Sequence, residues 1–170
     1  MSSLPATVRD MPRVYLSPGE IIATRDPIVV QTTLGSCVSV ALRDPLTGFA
    51  AMCHAAMPEA PDAKERSLRY VDQAITELFT QFSDAGVPLM RITAKVIGGA
   101  RWLRSGPVSP RYGPIGPRNV EVALACLARH RLTPEAQVTG GERGRRVLFV
   151  VSTGDVYVRQ LGVPSSGGRQ

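Results

Sequence analysis

The spacing of apolar residues predicts two helices in a chain of otherwise strand-like segments. Between residues 68 and 82 apolar side chains recur every three to four positions, which is the period of an amphipathic helix. This pattern stops near Gly86, because glycine favours the end of a helix. A second helix is predicted from Pro117, since proline fits the first helical turn without losing a hydrogen bond. Its expected buried stripe is Val120, Leu124, Leu127 and Ala128.

The remaining apolar segments are short, rich in β-branched residues and bounded by turn residues, which is typical of strands. They predict a single-domain α+β protein in which mixed strands form layers with the two main helices. Loops are expected over 58–64 and, without regular structure, over the proline- and glycine-rich segment 106–116. The predicted strands span residues 28–33, 38–43, 49–57, 90–97, 136–139, 147–152 and 156–160.

A tight turn is predicted where the strand 38–43 meets the next strand. Asp44 suits the first position of a type I turn, and proline at 45 suits the second. Gly48 then supplies a left-handed backbone position that closes a four-residue loop. The two strands should therefore form a hairpin in which Asp44 pairs with Phe49.

This pairing decides which side chains share a face of the hairpin. It sets Ser39 opposite His54, and because side chains alternate along a strand, Cys37 lies on the same face as His54. The two are then diagonal neighbours, about 7–8 Å apart at Cα. Cys53 falls on the opposite face, and a slip of one residue would reverse the whole assignment.

Cys37 and His54 are candidates for a nucleophile and its base. A cysteine attacks as its thiolate, so a nucleophilic thiol needs a neighbouring base at neutral pH. The preceding Gly35 and Ser36 are candidate substrate-adjacent residues, because glycine lets a substrate come close to the backbone. The plainer alternative is that Cys37 is a small buried apolar residue and His54 a hydrogen-bonded core histidine.

A metal site is not expected from the other cysteines and histidines. Cys53 and His54 are adjacent in a strand and point to opposite faces, and no Cys-x-x-Cys or His-x-x-x-His spacing occurs. Cys126 and His130 lie in the second predicted helix and are interpreted as structural. The segment Gly98–Ala100 lacks the Lys-Ser/Thr of a phosphate loop and is expected to let a strand end pack closely. No cofactor is predicted.

Composition narrows the class of protein further. The chain has 170 residues, 44% of them hydrophobic, with three cysteines and a formal charge of +6. No apolar stretch approaches the roughly 20 residues of a membrane span, and residues 1–12 lack the apolar core of a signal peptide. We therefore expect a cytoplasmic protein without membrane insertion. The arginines are scattered without a nucleic-acid-binding motif, so the first interpretation is a solvated basic surface, and an acidic protein partner is preferred to nucleic acid.

Several short motifs follow one another in a specific order between Tyr15 and Val158. They are Gly35-Ser36-Cys37-Val38, Asp44, His54 and Met57-Pro58, then Lys95-Val96-Ile97-Gly98-Gly99-Ala100, Ile115-Gly116 with Asn119, and Gly140-Gly141 followed by Gly144-Arg145. In this order and spacing they resemble the CheD family, the chemoreceptor glutamine deamidases of bacterial chemotaxis. The resemblance implies an α/β sandwich of CheD type, related to toxin deamidase domains. The implied domain spans 14–161, between an N-terminal extension (1–13) and a disordered tail (162–170).

The resemblance also implies a reaction. Cys37 would attack the carboxamide of a chemoreceptor glutamine, with His54 as base. Backbone N–H groups near Ser36 and Cys37 would stabilise the oxyanion, and a thioester would be hydrolysed to leave glutamate. The third site residue of the family is a threonine shortly before the cysteine, here Thr32 or Thr33, of which Thr32 is preferred. The implied partners are the cytoplasmic domains of methyl-accepting chemoreceptors and a CheC-type phosphatase.

Two other functions remain open from the sequence, a non-catalytic adaptor that binds receptors or the phosphatase, and a cysteine hydrolase of another amide. The chain also departs from the family pattern. Val138 stands where the family usually has an acidic residue, and Ala55-Ala56 replace bulkier apolar residues. Both departures bear on substrate fit or partner binding rather than on Cys37 and His54.

Overall fold

The structure is a computed structural model that describes residues 4–101 and 108–162. The predicted tail lies outside these residues from position 163 onward. In chain order the described residues form α1 (Ala6–Arg9), β1 (Arg13–Tyr15), β2 (Ile21–Thr24), β3 (Val29–Leu34), β4 (Val38–Arg43), β5 (Ala50–Cys53), α2 (Val71–Asp84), β6 (Thr93–Gly98), β7 (Val108–Ser109), β8 (Gly113–Pro114), α3 (Ile115–Arg129), β9 (Ala136–Thr139), β10 (Arg145–Val150) and β11 (Val156–Gln160).

Two mixed sheets carry most of the strands. The five-stranded sheet has the order β2-β5-β4-β6-β9, antiparallel except for the parallel pair β6–β9. The four-stranded sheet has the order β1-β3-β10-β11, antiparallel except for the parallel pair β1–β3. Strands β7 and β8 form a separate small hairpin.

The molecule has three layers, because the five-stranded sheet is covered on both faces. Helices α2 and α3 pack on one face through an apolar cluster that includes Val40, Leu78 and Leu127. The four-stranded sheet packs on the other face through a cluster that includes Met52 and Phe149. This arrangement confirms the predicted α+β class with mixed strands and two main helices. None of the helices in the described residues is long and apolar enough to cross a membrane.

The predicted β4–β5 hairpin is confirmed together with its register. Arg43 pairs with Ala50, and the Asp44 N–H donates to the Phe49 carbonyl at 2.8 Å. Gly48 adopts a φ of 73°, the left-handed conformation that the turn requires. Local turn chemistry therefore fixes the register of the strands that carry Cys37 and His54.

The predicted buried stripe of α3 is wrong by part of a turn. Leu127 is buried as expected, but Ala128 is exposed, and the other buried apolar side chains are those of Ile115, Val122, Ala123 and Cys126. The helix packs closest at Gly116, where a Cβ atom would lie 2.2 Å from the Ala100 carbonyl oxygen. This contact sets the rotation of the helix, and a hydrophobic pattern does not report it.

Other differences concern short elements. The segment 108–114, predicted as part of an irregular loop, contains the β7–β8 hairpin; residues 106 and 107 lie outside the described part. The predicted strand 90–97 begins only at Thr93, after a single 3-10 turn at Leu89–Arg91. The predicted strand 49–57 runs from Ala50 to Cys53, followed by isolated bridges. Strands β1 and β2 were not predicted, because three or four residues give too weak a pattern.

Candidate active site

His54 lies just beyond β5, on the face that looks toward the four-stranded sheet. The loop between β1 and β2 holds its backbone, since the His54 N–H donates to the Glu20 carbonyl at 3.1 Å and its carbonyl accepts from the Gly19 N–H at 2.8 Å. From the opposite sheet, Thr32 brings its Oγ1 to 2.8 Å from His54 Nδ1. The two sheets thus meet at a buried polar pair, 2% exposed at His54 and 0% at Thr32.

The hydrogen bonds around Nδ1 assign the tautomer of the imidazole. The Thr32 Oγ1 lies 2.7 Å from the Leu16 carbonyl oxygen, which only accepts, so the threonine hydroxyl donates its proton there. The same Oγ1 must then accept from Nδ1, and the Leu16 oxygen is also 3.3 Å from Nδ1. The ring proton of neutral His54 is therefore on Nδ1, and Nε2 carries a lone pair. Among the described residues, Nε2 is buried without a hydrogen-bond partner.

Cys37 directly precedes β4, opposite the segment that carries His54. Val38 and Ala55 exchange two backbone hydrogen bonds of 2.9 Å, which continue the register of the hairpin. Cys37 packs against the cluster between the two sheets, whereas Cys53 belongs to the cluster under the helices. The structure therefore brings Cys37 and His54 to one face, and Cys37 remains half-buried within reach of solvent.

Burial holds both groups of this pair in their neutral forms. Burial raises the pKa of the Cys37 thiol, and the backbone N–H of Cys37, which points at the sulfur, offsets this only in part. Burial also lowers the pKa of His54, against smaller opposite effects from the Leu16 carbonyl and the Glu20 carboxylate. Both shifts favour a neutral thiol and a neutral imidazole over a thiolate and an imidazolium.

Gly35 and Ser36 form the approach to Cys37 and are half-buried. In the described part of the chain, the N–H groups of Ser36 and Cys37 have no hydrogen-bond partner in another residue. The next N–H along the chain, that of Val38, donates to Ala55. The two unpaired N–H groups beside the thiol are therefore the donors available to a negatively charged oxygen.

The remaining candidates lie away from this pair. Thr33 is exposed on the other face of β3. Burial raises the pKa of Cys53 to about 12, so its thiol is inert at neutral pH. Cys126 is buried in α3, and His130 stacks on Phe79 with 3.7 Å between ring centroids. The described residues contain no cluster of three or more metal-ligating side chains.

Sequence reasoning missed the contribution of the β1–β2 loop. The Leu16 carbonyl orients both Thr32 and His54, and Gly19 and Glu20 hold the histidine backbone. Every residue carries a carbonyl group, so no residue type marks such a partner in the sequence. Only the long-range packing of the loop over β5 identifies it.

A groove of about 750 Å³ lies along the segment 137–145. In its wall the Gly140 N–H donates to the Gly98 carbonyl at 3.0 Å. Arg143 and Arg145 line it together with one acidic residue, Glu142. The guanidinium of Arg145 is buried and donates to the carbonyls of residues 138 and 140, so it forms part of the wall.

A family model and two relatives of this chain carry the same family name. A family model described as CheD chemotactic sensory transduction matches residues 56–160, a range that begins after Cys37 and His54. The chain is 39% identical over 151 residues, 89% of its length and 91% of the relative, to a probable chemoreceptor glutamine deamidase CheD 2 of Geobacter sulfurreducens. It is 33% identical, over 89% of this chain and 92% of the relative, to the chemoreceptor glutamine deamidase CheD of Thermotoga maritima.

Among solved structures, the chain is similar to the Bacillus licheniformis hypothetical protein YfiH. The two are 14% identical with a TM-score of 0.46, over 72% of this chain and 51% of that chain.

Proposed function

This chain belongs to the CheD family, and on that premise we propose that it deamidates glutamine side chains of chemoreceptors with Cys37 as the nucleophile. The reaction converts a glutamine carboxamide and water into a glutamate carboxylate and ammonium. Each event would add one negative charge to the receptor and create a new site for methylation. We place the reaction in the cytoplasm, where the cysteine thiol stays reduced.

The observation that carries this proposal is the unpartnered Nε2 of His54. The Leu16 carbonyl and Thr32 hold the proton on Nδ1, so Nε2 presents a lone pair on the face that it shares with Cys37. A buried nitrogen without a partner is costly in a folded protein, and a catalytic role is one reason to retain it. Cysteine, histidine and threonine together form the nucleophile, base and orienting group of an acyl-transfer site.

In the first half of the proposed reaction the enzyme is acylated. The Cys37 sulfur bonds to the carboxamide carbon of the glutamine while its proton passes to His54 Nε2. The resulting oxyanion accepts hydrogen bonds from the backbone N–H groups of Ser36 and Cys37. The C–N bond then breaks, His54 returns the proton to the leaving nitrogen, and ammonia departs from a thioester.

In the second half water hydrolyses the thioester. His54 Nε2 takes a proton from the water as its oxygen bonds to the carbonyl carbon, through a second oxyanion in the same position. The C–S bond breaks, the sulfur regains a proton, and glutamate is released. The half-buried position of Cys37 supports this proposal, since both a protein-bound glutamine and water must reach the thiol.

The test is mass spectrometry of a cognate receptor cytoplasmic fragment after incubation with the protein. We expect wild type to add about one dalton at defined glutamines, and Cys37→Ala to add none. Cys126→Ala is the matched control, because it removes another buried cysteine of the chain, and we expect it to retain the activity of wild type.

Absence of any mass change with folded wild type and several cognate receptors would contradict the enzymatic proposal. The protein would then act as an adaptor, and co-precipitation with receptors or a CheC-type phosphatase would identify its partner. A mass gain that persists in Cys37→Ala would instead exclude Cys37 as the nucleophile.

A further inference from the structure

The loop Gly35–Cys37, hereafter the nucleophile loop, is held to the protein through three consecutive carbonyl groups. The partners come from two segments, residues 99 and 100 just after β6 and the first turns of α3. The hydrogen bonds are Ala100 N–H to Gly35 O at 2.9 Å, Asn119 Nδ2 to Ser36 O at 2.9 Å, and Gly99 N–H to Cys37 O at 2.8 Å.

Asn119 differs from the other two partners because it binds with a side chain. It is the only asparagine of the chain, and it is completely buried. Its Nδ2 also donates to the Ala56 carbonyl at 3.1 Å, so one amide group joins the residue before Cys37 to the segment two residues after His54. Its Oδ1 has no partner among the described residues, which leaves donation by Nδ2 as the polar role of this side chain.

Because the peptide bond is planar, this contact also restricts the direction of the N–H group next to the thiol. Ser36 C=O and Cys37 N–H belong to one rigid trans peptide and point in opposite directions. When Asn119 fixes the carbonyl, it also fixes the direction of the N–H, which is turned toward the Cys37 sulfur. The orientation of this donor is therefore set from α3 rather than by the nucleophile loop alone.

We propose that Asn119 is a positioning residue that directs the Cys37 N–H at the oxyanion formed during acyl transfer. The inference rests on the proposed function in one respect, that Cys37 is an acyl-transfer nucleophile. The proposal also explains why α3 packs so closely against residues 99 and 100. The short side chain of Asn119 reaches the nucleophile loop only because two glycines permit this approach. A Cβ at Gly99 would lie 2.2 Å from Val120 Cγ2, and one at Gly116 would lie 2.2 Å from the Ala100 oxygen.

The main experiment compares Asn119→Ala with wild type in three reactions of Cys37. We expect kcat for receptor deamidation, and for hydrolysis of p-nitrophenyl acetate, to fall about 10- to 100-fold, because an oxyanion donor is misdirected. We expect KM for the receptor to stay unchanged, since Asn119 is buried and cannot touch it. The rate of Cys37 alkylation by iodoacetamide should fall much less than kcat, because this displacement forms no oxyanion and loses only the partial effect of the N–H on the thiol pKa.

Cys126→Ala, two turns further along α3, is the control for a general loosening of the helix, and it should leave all three reactions intact. Unchanged kcat in Asn119→Ala would overturn the inference. So would a parallel fall in alkylation and deamidation, which would indicate a lost thiol environment instead. If wild type modifies no receptor, the proposed function fails, yet an Asn119-dependent hydrolysis of p-nitrophenyl acetate still supports the positioning role.

A second measurement uses the folded wild type alone. Because the chain has one asparagine, labelling with side-chain ¹⁵N-asparagine gives one NH₂ pair in an NMR spectrum. We expect both amide protons to exchange slowly with solvent, since each is buried and donates to a backbone carbonyl. Exchange as fast as that of a free amide would contradict the two hydrogen bonds on which the inference depends.

Discussion

The two ends of the β4–β5 hairpin differ in how completely their buried polar groups are hydrogen-bonded. At the turn, the Asp44 carboxylate accepts from the Leu46 N–H at 3.0 Å, from the Thr47 hydroxyl at 2.7 Å and from Arg91 at 2.7 Å. At the open end, Thr32 satisfies only Nδ1 of His54. Both oxygens of the Asp44 carboxylate thus have partners, whereas His54 keeps an unpartnered lone pair on Nε2, on the face that it shares with Cys37.

The buried groups at the two ends of the hairpin also differ in charge. Burial alone would raise the pKa of Asp44, but the hydrogen bonds from Thr47, Leu46 and Arg91 together lower it, so the carboxylate stays ionised. Cys37 and His54 are both held neutral by burial. The comparison teaches that burial by itself does not mark a functional site. The Asp44 carboxylate, with a partner at each oxygen, stabilises the turn, whereas the unpartnered Nε2 of His54 shares a face with a thiol that solvent can reach.

The largest effect expected at the open end, apart from loss of the thiol itself, is that of His54→Ala. Without the base, kcat for receptor deamidation should fall about 10²- to 10⁴-fold. Steady-state kinetics on a receptor fragment would measure this, with His130→Gln as the matched control. The second histidine stacks on Phe79 away from the site, so its replacement should leave kcat unchanged.

The pH dependence is a second readout for His54. Burial lowers its pKa below the usual 6.5, and protonated imidazole cannot accept the thiol proton. Activity should therefore be retained down to a pH below 6.5 and be lost as the pH falls through the folded pKa. An acid limb above 6.5 that disappears in His54→Ala would show that the histidine is stabilised as a cation, contrary to the neutral pair.

A smaller effect is expected for Thr32→Val, which removes a hydroxyl and keeps the shape of the side chain. The Nδ1–H group would lose its nearest acceptor, but the Leu16 carbonyl at 3.3 Å remains to orient the ring. We expect kcat to fall about 10-fold, the value of one net hydrogen bond. Thr33→Val is the control on the same strand, because Thr33 is exposed and makes no contact with His54. Equal kinetics for the two variants would remove Thr32 from the site.

The hairpin shows how far sequence reasoning reaches in this protein. The turn residues from Asp44 to Gly48 and the alternation along the strands predict that Cys37 and His54 share a face, because both signals are local. Thr32 and Thr33 remain alternatives in the sequence, because the choice depends on how the second sheet meets the first. That packing is long-range, and it includes the hydrogen bond from the Thr32 hydroxyl to the backbone carbonyl of Leu16.

Helix α3 shows the limit more sharply. Its period identifies the helix, but the buried stripe is set by the contact of Gly116 with Ala100, which a hydrophobic pattern does not contain. The role of Val138 is likewise invisible in the sequence, because its carbonyl, and not its side chain, accepts from the buried guanidinium of Arg145.

At the turn end, Asp44→Asn should affect stability and leave catalysis alone. An amide in place of the carboxylate keeps the turn acceptor for Leu46 but presents a donor, or a weaker acceptor, to Arg91. We expect a loss of about 2 kcal/mol in the free energy of unfolding at pH 7, measured by urea denaturation, with kcat unchanged. Asp155→Asn is the control in another turn, where the aspartate is exposed and a loss within about 0.5 kcal/mol is expected.

The pH dependence of that difference tests its cause. Since the folded pKa of Asp44 is lowered, its contribution is present above the unfolded pKa of about 3.9 and is lost as the pH falls toward the folded value. The gap between wild type and Asp44→Asn should therefore narrow below about pH 4. A constant gap would mean that the shape of the turn matters rather than the charge. A fall in kcat would mean that the two ends of the hairpin are coupled, and that the turn is part of the machinery that places Cys37.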